Sequence, residues 1–168
     1  YCGAKDDRKL SDAVQTTMVV ALAACVICTF LGNLSVPLFL KIMKMEKTPE
    51  AYKMADRYLR IYFWGVSGML LYNVGAGILR AVGDSLRPLI FLIITTVINT
   101  VLDILFVTKY NWEIEGVAYA TVIAQFISAF MVLYVLTSSP MAYRVDWLHL
   151  RVDRSILAAI FKIGLPSA

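Results

Sequence analysis

The chain has 168 residues, 60% of them hydrophobic and 17% charged, with a net charge of +4 and a mean hydropathy of +0.71. A water-soluble domain carries about 45–50% apolar and about 25% charged residues, so this composition, gathered into long apolar runs, excludes an ordinary soluble domain and indicates an integral membrane protein. The basic residues lie mostly between the apolar runs, a placement that suits lipid headgroups and topology control and not nucleic-acid binding.

The first predicted span runs from about Asp12 to about Leu40, with Gly32 and Pro37 expected to bend its far end. It contains Cys25-Val-Ile-Cys28, while the third cysteine, Cys2, lies at the amino end. An odd count with two members at membrane depth argues against a disulfide framework. Lys41–Arg60 is charged and helix-prone, with Pro49 near a helix start and Ala51, Met54, Ala55, Tyr58 and Leu59 as an apolar set. It reads as a surface-lying amphipathic piece leading into the second span, about Leu59 to Leu79.

A tight polar turn follows, Arg80-Ala-Val-Gly-Asp-Ser-Leu-Arg-Pro88, in which Gly83 breaks one helix and Pro88 sits in the first turn of the next. The third span, about Leu89 to Val107, is apolar except for a few side chains, and Asp103 is the exception that matters most. A carboxylate at that depth costs about 2.5–3.5 kcal/mol even on the lenient insertion scale, so its presence is a functional-site hypothesis. Asn99 is one turn earlier on the same helical face. An acid and an amide placed so can hold a proton or a hard cation. The competing reading is a protonated acid and an amide serving as interhelical hydrogen-bond glue.

After a short polar hairpin, Lys109–Glu115, the fourth span runs from about Val117 to Leu136. Thr121, Gln125 and Ser128 form a polar stripe on it, beside a ridge of Gly116, Ala120, Ala124 and Ser128 that lets another helix approach closely. The short hairpin predicts that spans three and four are antiparallel neighbours, which brings Thr121 to the depth of Asp103 or Asn99. Back-bonding of Thr121 to its own helix carbonyls is the alternative. Ser138–Arg154 is the longest loop and holds His149, the only histidine. A fifth apolar pattern begins near Ile156 and is still running at Ala168. With no Met at position 1, the stretch reads as a piece of a longer polypeptide.

Other chemistries fit less well. The Cys25/Cys28 spacing suits a quinone-linked membrane oxidoreductase, yet no second redox pair and no nearby charge accompany it. Arg80, Asp84 and Arg87 could clamp an anion, against the plainer reading of interface anchoring and local pairing. His149 has no companion ligands for a metal, and an intramembrane aspartyl protease needs a second membrane Asp that the spans lack. Loop charges do not orient the protein: Lys5, Arg8, Lys9, Arg80, Arg87, Arg144, Arg151 and Arg154 on one side face Lys41, Lys44, Lys47, Lys53, Arg57, Arg60 and Lys109 on the other.

Tyr58-Leu-Arg-Ile61, Leu71-Tyr-Asn-Val-Gly-Ala-Gly-Ile-Leu-Arg-Ala-Val-Gly-Asp-Ser-Leu-Arg-Pro-Leu89, Asn99-Thr-Val-Leu-Asp103 and Gly116-Val-Ala-Tyr-Ala-Thr-Val-Ile-Ala-Gln125 together resemble the multidrug and toxic compound extrusion (MATE) transporters, in their prokaryotic DinF/NorM-like branch. The resemblance implies an all-α polytopic transmembrane helix bundle. Residues 1–138 would be N-lobe helices three to six, 139–154 the interlobe cytoplasmic loop, and 155–168 the start of helix seven, the first of the C-lobe. The amino end and the Arg80–Pro88 turn would face the cytoplasm.

The resemblance also implies a transporter and not an enzyme, in the plasma membrane of a prokaryote. It would be an antiporter that exchanges H+ or Na+ for organic, often cationic, compounds by alternating access. By motif, Asn99, Asp103 and Thr121 match the family's N-lobe cation site, whose remaining carboxylate belongs to helix one. No cofactor is implied beyond the coupling ion, and any metal would be Na+ at those three residues. Tyr72, Asn73 and Gln125 are expected to line the substrate cavity. The expected partners are the bilayer, small organic cations and the remaining helices of the same polypeptide. A lipid-linked saccharide flippase of the same superfamily is the alternative transporter; its phosphate-bearing cargo would call for a strongly cationic cavity.

Overall fold

The computed structural model describes residues 7–44, 48–139, 144–145 and 152–164. They form five helices: α1 (Asp7–Ile42), α2 (Pro49–Ala81), α3 (Leu86–Thr108), α4 (Glu113–Ser138) and α5 (Arg154–Gly164). The first four are long and apolar enough to cross a membrane. Their 36, 33, 23 and 26 residues span about 54, 50, 35 and 39 Å, against a hydrocarbon core of about 30 Å. No strand occurs among the described residues. Helices are the expected outcome, because a bilayer offers no partner for an exposed backbone N–H or C=O. The protein is a multi-pass membrane protein.

One local expectation is corrected. Residues 49–60 are not a separate surface piece; α2 runs unbroken from Pro49 through the second span. Pro49 sits in its first turn, where a missing N–H costs nothing, and no breaker intervenes before Gly83. Arg60 pairs with Asp56 one turn back and Arg57 with Glu115 of α4, and both arginines stay exposed. In α1 the helix continues past Gly32 and Pro37 to Ile42 without interruption. Gly32 serves packing there: a Cβ would collide with the Phe63 ring of α2.

The α2–α3 turn behaves as the sequence indicates. Gly83 takes φ +92°, a left-handed conformation open to glycine at little cost. This lets the Asp84 N–H reach the Leu79 carbonyl at 2.9 Å. Asp84 then receives the Arg87 N–H at 3.2 Å and pairs with the Arg87 guanidinium at 3.3 Å. Arg80 donates from Nε to the Ala76 carbonyl. These groups are locally paired, which favours anchoring over an anion clamp.

The helices alternate in direction, but their spatial order is not their chain order. α1 packs on α2, α2 packs mainly on α4, and α3 lies against α4 while touching α2 little. The sequence in space is therefore α1, α2, α4, α3. At the end where α1 begins and α4 ends, Val14, Met18, Ile78, Leu79, Val132, Leu136 and Val145 form a buried cluster. The chain after α4 seals it: the Val145 N–H donates to the Leu136 carbonyl at 3.0 Å, and the Asp153 N–H donates to the Thr16 hydroxyl at 3.1 Å. The Ser155 hydroxyl and the N–H groups of Ser155 and Ile156 hold the Asp153 carboxyl below the usual carboxylate range, so it starts α5 as an ionised cap. His149 lies outside the described residues.

Candidate functional site

α3 presents its polar side chains in two groups. Thr95 donates to the Phe91 and Leu92 carbonyls, Thr96 to Leu92, Thr100 to Thr96 and Thr108 to Ile104. These hydroxyls are satisfied within their own helix, the usual state of threonine in a membrane. Asn99 and Asp103 are not. Nδ2 of Asn99 and Oδ1 of Asp103 are buried and have no hydrogen-bond partner among the described residues.

The facing helix carries matching capacity. The Thr121 hydroxyl on α4 makes no hydrogen bond among the described residues, in contrast to the α3 threonines. Oε1 of Gln125 is likewise buried and unpartnered. Ser128 donates back to the Gln125 carbonyl at 2.8 Å.

Gly65 and Gly68 of α2 set the position of Gln125. A Cβ at Gly65 would collide with Gln125 Oε1, and one at Gly68 would lie 3.0 Å from the Gln125 backbone carbon. The small face of α2 lets α4 approach closely, and the Gln125 amide oxygen lies against Gly65. The sequence reading missed this pair; its signal was two glycines three apart on one face of a span. The expected ridge on α4 is buried at Gly116, Ala120, Ala124 and Ser128, and a Cβ on Gly116 would stand 2.9 Å from Phe106 Cβ of α3.

Between α2, α3 and α4 these residues border a cleft of about 270 Å³, lined by Met69, Tyr72, Asn73, Leu92, Thr95, Thr96, Asn99, Thr121, Ala124, Gln125 and Ser128. It brings together Asn99 and Thr121 with Tyr72, Asn73 and Gln125. Asp103 stands one turn along α3 from Asn99, outside the lining. Tyr72 is partly committed to structure, its hydroxyl donating to the Pro88 carbonyl at 2.8 Å, and Asn73 donates to the Met69 carbonyl at 2.8 Å. Among the described residues no Lys, Arg, Asp or Glu lines the cleft. Its polar groups are neutral amides and hydroxyls, which can replace water around a small cation but offer no counter-charge for a phosphate.

The two cysteines of α1 differ in environment. Cys25 is buried and Cys28 exposed, and neither is in a disulfide. The Cys25 thiol contacts the Ser67 carbonyl at 3.4 Å.

Comparison with known proteins places this architecture. The MatE family profile matches residues 1–105. The probable multidrug resistance protein YoeA of Bacillus subtilis is 31% identical over 175 residues, covering 99% of this chain. The probable multidrug resistance protein YpnP of the same organism is 34% identical over 128 residues, covering 75% of the chain. This chain spans 37% of the length of YoeA and 28% of YpnP. A MATE-family multidrug resistance transporter of the MOP superfamily solved in an inward-facing conformation superimposes with a TM-score of 0.88 at 26% identity, over 98% of this chain and 37% of that one. An outward-facing structure with the same family description gives 0.83 at 26% identity, over 95% and 36%. Proteins of this family are transporters and not enzymes, which removes the quinone-linked oxidoreductase at Cys25 and Cys28. With the profile matching well over half of its residues and the helices superimposing throughout, the chain belongs to the MatE family of membrane transporters.

Proposed function

We propose that this chain forms part of a cation-coupled exporter of organic compounds, in which Asn99, Asp103 and Thr121 hold the coupling cation, H+ or Na+, and the neighbouring cleft contributes to the path of the compound. The observation that carries this reading is the unmet hydrogen-bonding capacity of Asn99 and Asp103 on one face of α3. Side chains serving as interhelical glue are bonded to the neighbouring helix; these are not, and unpaired buried polar atoms cost about 1–3 kcal/mol each. Such a cost is sustained where a ligand repays it. YoeA and YpnP are described as probable multidrug resistance proteins, which supports export of organic compounds as the task. The neutral lining of the cleft favours this over a flippase for phosphate-bearing lipids.

The energetics suffice. A charge moving through 100 mV yields about 2.3 kcal/mol, and each tenfold concentration ratio about 1.4 kcal/mol. The cation would be held in one conformation of the transporter and released in the other.

The test is export of a fluorescent organic cation by the full-length protein in liposomes under imposed H+ or Na+ gradients. Asp103→Asn is expected to abolish gradient-driven export. Export that survives the substitution removes Asp103 from the coupling site, and absence of export under either gradient turns the assignment to the flippase.

A further inference from the structure

At the α3–α4 hairpin lies a second and larger cleft, of about 700 Å³, bordered by Met54, Phe106, Trp112, Glu115, Tyr119 and Ile123. It shares no lining residue with the Asn99–Thr121 cleft. Tyr119 and Ile123 lie two residues either side of Thr121, which puts them on the opposite face of α4.

Trp112 is the hub of this site. Its ring centroid is 5.2 Å from Phe106, 5.7 Å from Tyr110 and 5.8 Å from Tyr119. Asn111 holds it there from a left-handed backbone at φ +51°, a conformation that Asn tolerates better than most residues. The Trp112 N–H donates to the Phe106 carbonyl at 3.1 Å, and the Trp112 carbonyl accepts the Gly116 N–H at 2.9 Å. The rings are therefore fixed by backbone and still open, with Trp112 47% exposed.

On the rim, Glu115 Oε1 accepts from Arg57 Nη1 at 3.0 Å, with the Arg57 side chain 67% exposed. A membrane-interface aromatic belt spreads its rings around the perimeter of a protein. Here they gather at one point beside a carboxylate, and electron-rich ring faces with an adjacent negative charge recognise organic ammonium groups.

We propose that this cleft binds an organic ammonium ion, its charge against Trp112 and Tyr119 and beside Glu115, and that the Arg57 guanidinium occupies the carboxylate when the cleft is empty. The site goes beyond the coupling site and does not depend on it. Its ligand has two sources with the same chemistry, a free organic ammonium in the water or the ammonium of a phospholipid headgroup. In either case arrival of the ligand displaces Arg57 from Glu115, so the two substitutions at this pair act in opposite directions.

Choline is the probe, with its neutral isostere 3,3-dimethylbutan-1-ol as control. Binding is read by saturation transfer to the choline methyl protons, using the full-length protein in phosphatidylglycerol nanodiscs. Choline is expected to bind and to resist an equal concentration of the isostere. Glu115→Gln should weaken it by about fivefold, and Arg57→Gln should tighten it by about two- to fivefold, the range set by one exposed ion pair. Trp112→Leu should also weaken binding, with the thermal transition reporting whether the hairpin still folds. Asp103→Asn should leave choline binding unchanged, so that failure of the coupling-site reading and failure of this one are separable. In phosphatidylcholine nanodiscs, reduced choline binding identifies the headgroup as the ligand, and unchanged binding identifies the free ion. Absence of choline binding, equal displacement by the neutral isostere, weakening by Arg57→Gln, or sensitivity to Asp103→Asn each overturns the proposal.

Discussion

Along its α2 side, α4 meets Gly65, Gly68 and Gly75, whose missing side chains are filled by Gln125, by the α4 backbone and by Val132. Along its α3 side it meets a span that carries Asn99 and Asp103 with buried polar atoms left unpaired. The first seam is closely packed at these glycines, with the Gln125 amide oxygen buried in it, and its contribution is dispersion and close approach. The second is looser, opens into the cleft, and holds hydrogen-bonding capacity that nothing in the described chain uses. One helix thus carries a fixed contact on one side and a reactive one on the other.

The comparison is sharpened most by removing the charge. Asp103→Leu should raise the stability of the bundle by about 1–3 kcal/mol, the cost of an unpaired buried polar atom, while ending gradient-driven export. The measurement is the unfolding midpoint in mixed dodecyl-maltoside and SDS micelles, run beside the transport assay. A fall in stability would mean that Asp103 is bonded to a partner and belongs to the structural side of the comparison.

Gly68→Leu tests the other seam. The first atom added would sit 3.0–3.1 Å from the Gln125 carbonyl group and the Phe126 N–H, and backbone cannot yield as a side-chain tip can. Overpacking of this kind costs about 1–3 kcal/mol. The same measurement should show that loss, with export falling in proportion to the folded protein recovered. If Gly68→Leu stopped export at unchanged stability, the α2–α4 seam would have to move during transport and could not be the fixed contact.

The two seams were not equally legible in the sequence. The α3 side declared itself because an acid and an amide in an otherwise apolar run have no inexpensive explanation, and one-turn spacing put Asn99 and Asp103 on one face. The spans were legible for a related reason: the bilayer leaves a hydrophobic run little choice but a helix. The α2–α4 seam was hidden because hydropathy carries no pairwise information. Nothing in the run from Leu59 to Leu79 says that it packs on the span two further along and little on the span that follows it. The start of α2 was misread for a local reason: Lys53, Asp56, Arg57 and Arg60 suggested a separate segment, but no proline or turn divides them from the apolar run and the helix is continuous. Gln125 borders the cleft between α2, α3 and α4, but the glycines it packs against were not found.

The smallest effect is the most discriminating, and it concerns two threonines that line the same cleft. Thr95 donates to its own helix at 2.9 and 3.2 Å, whereas Thr121 donates to nothing among the described residues. Removing a bonded hydroxyl changes stability by about 0.5–1.5 kcal/mol, so Thr95→Ala should lower the unfolding midpoint slightly and leave the coupling-ion dependence of export in place. Thr121→Ala removes a hydroxyl that has no bond to lose. Its stability should stay within about 0.5 kcal/mol of the unaltered protein, while the ion concentration needed for half-maximal export rises several-fold, and Thr121→Ser, which keeps the oxygen, should restore it. If alanine at the two positions shifts ion dependence equally, the hydroxyl at Thr121 is spacing and not a ligand. The coupling site would then shrink to the two residues of α3.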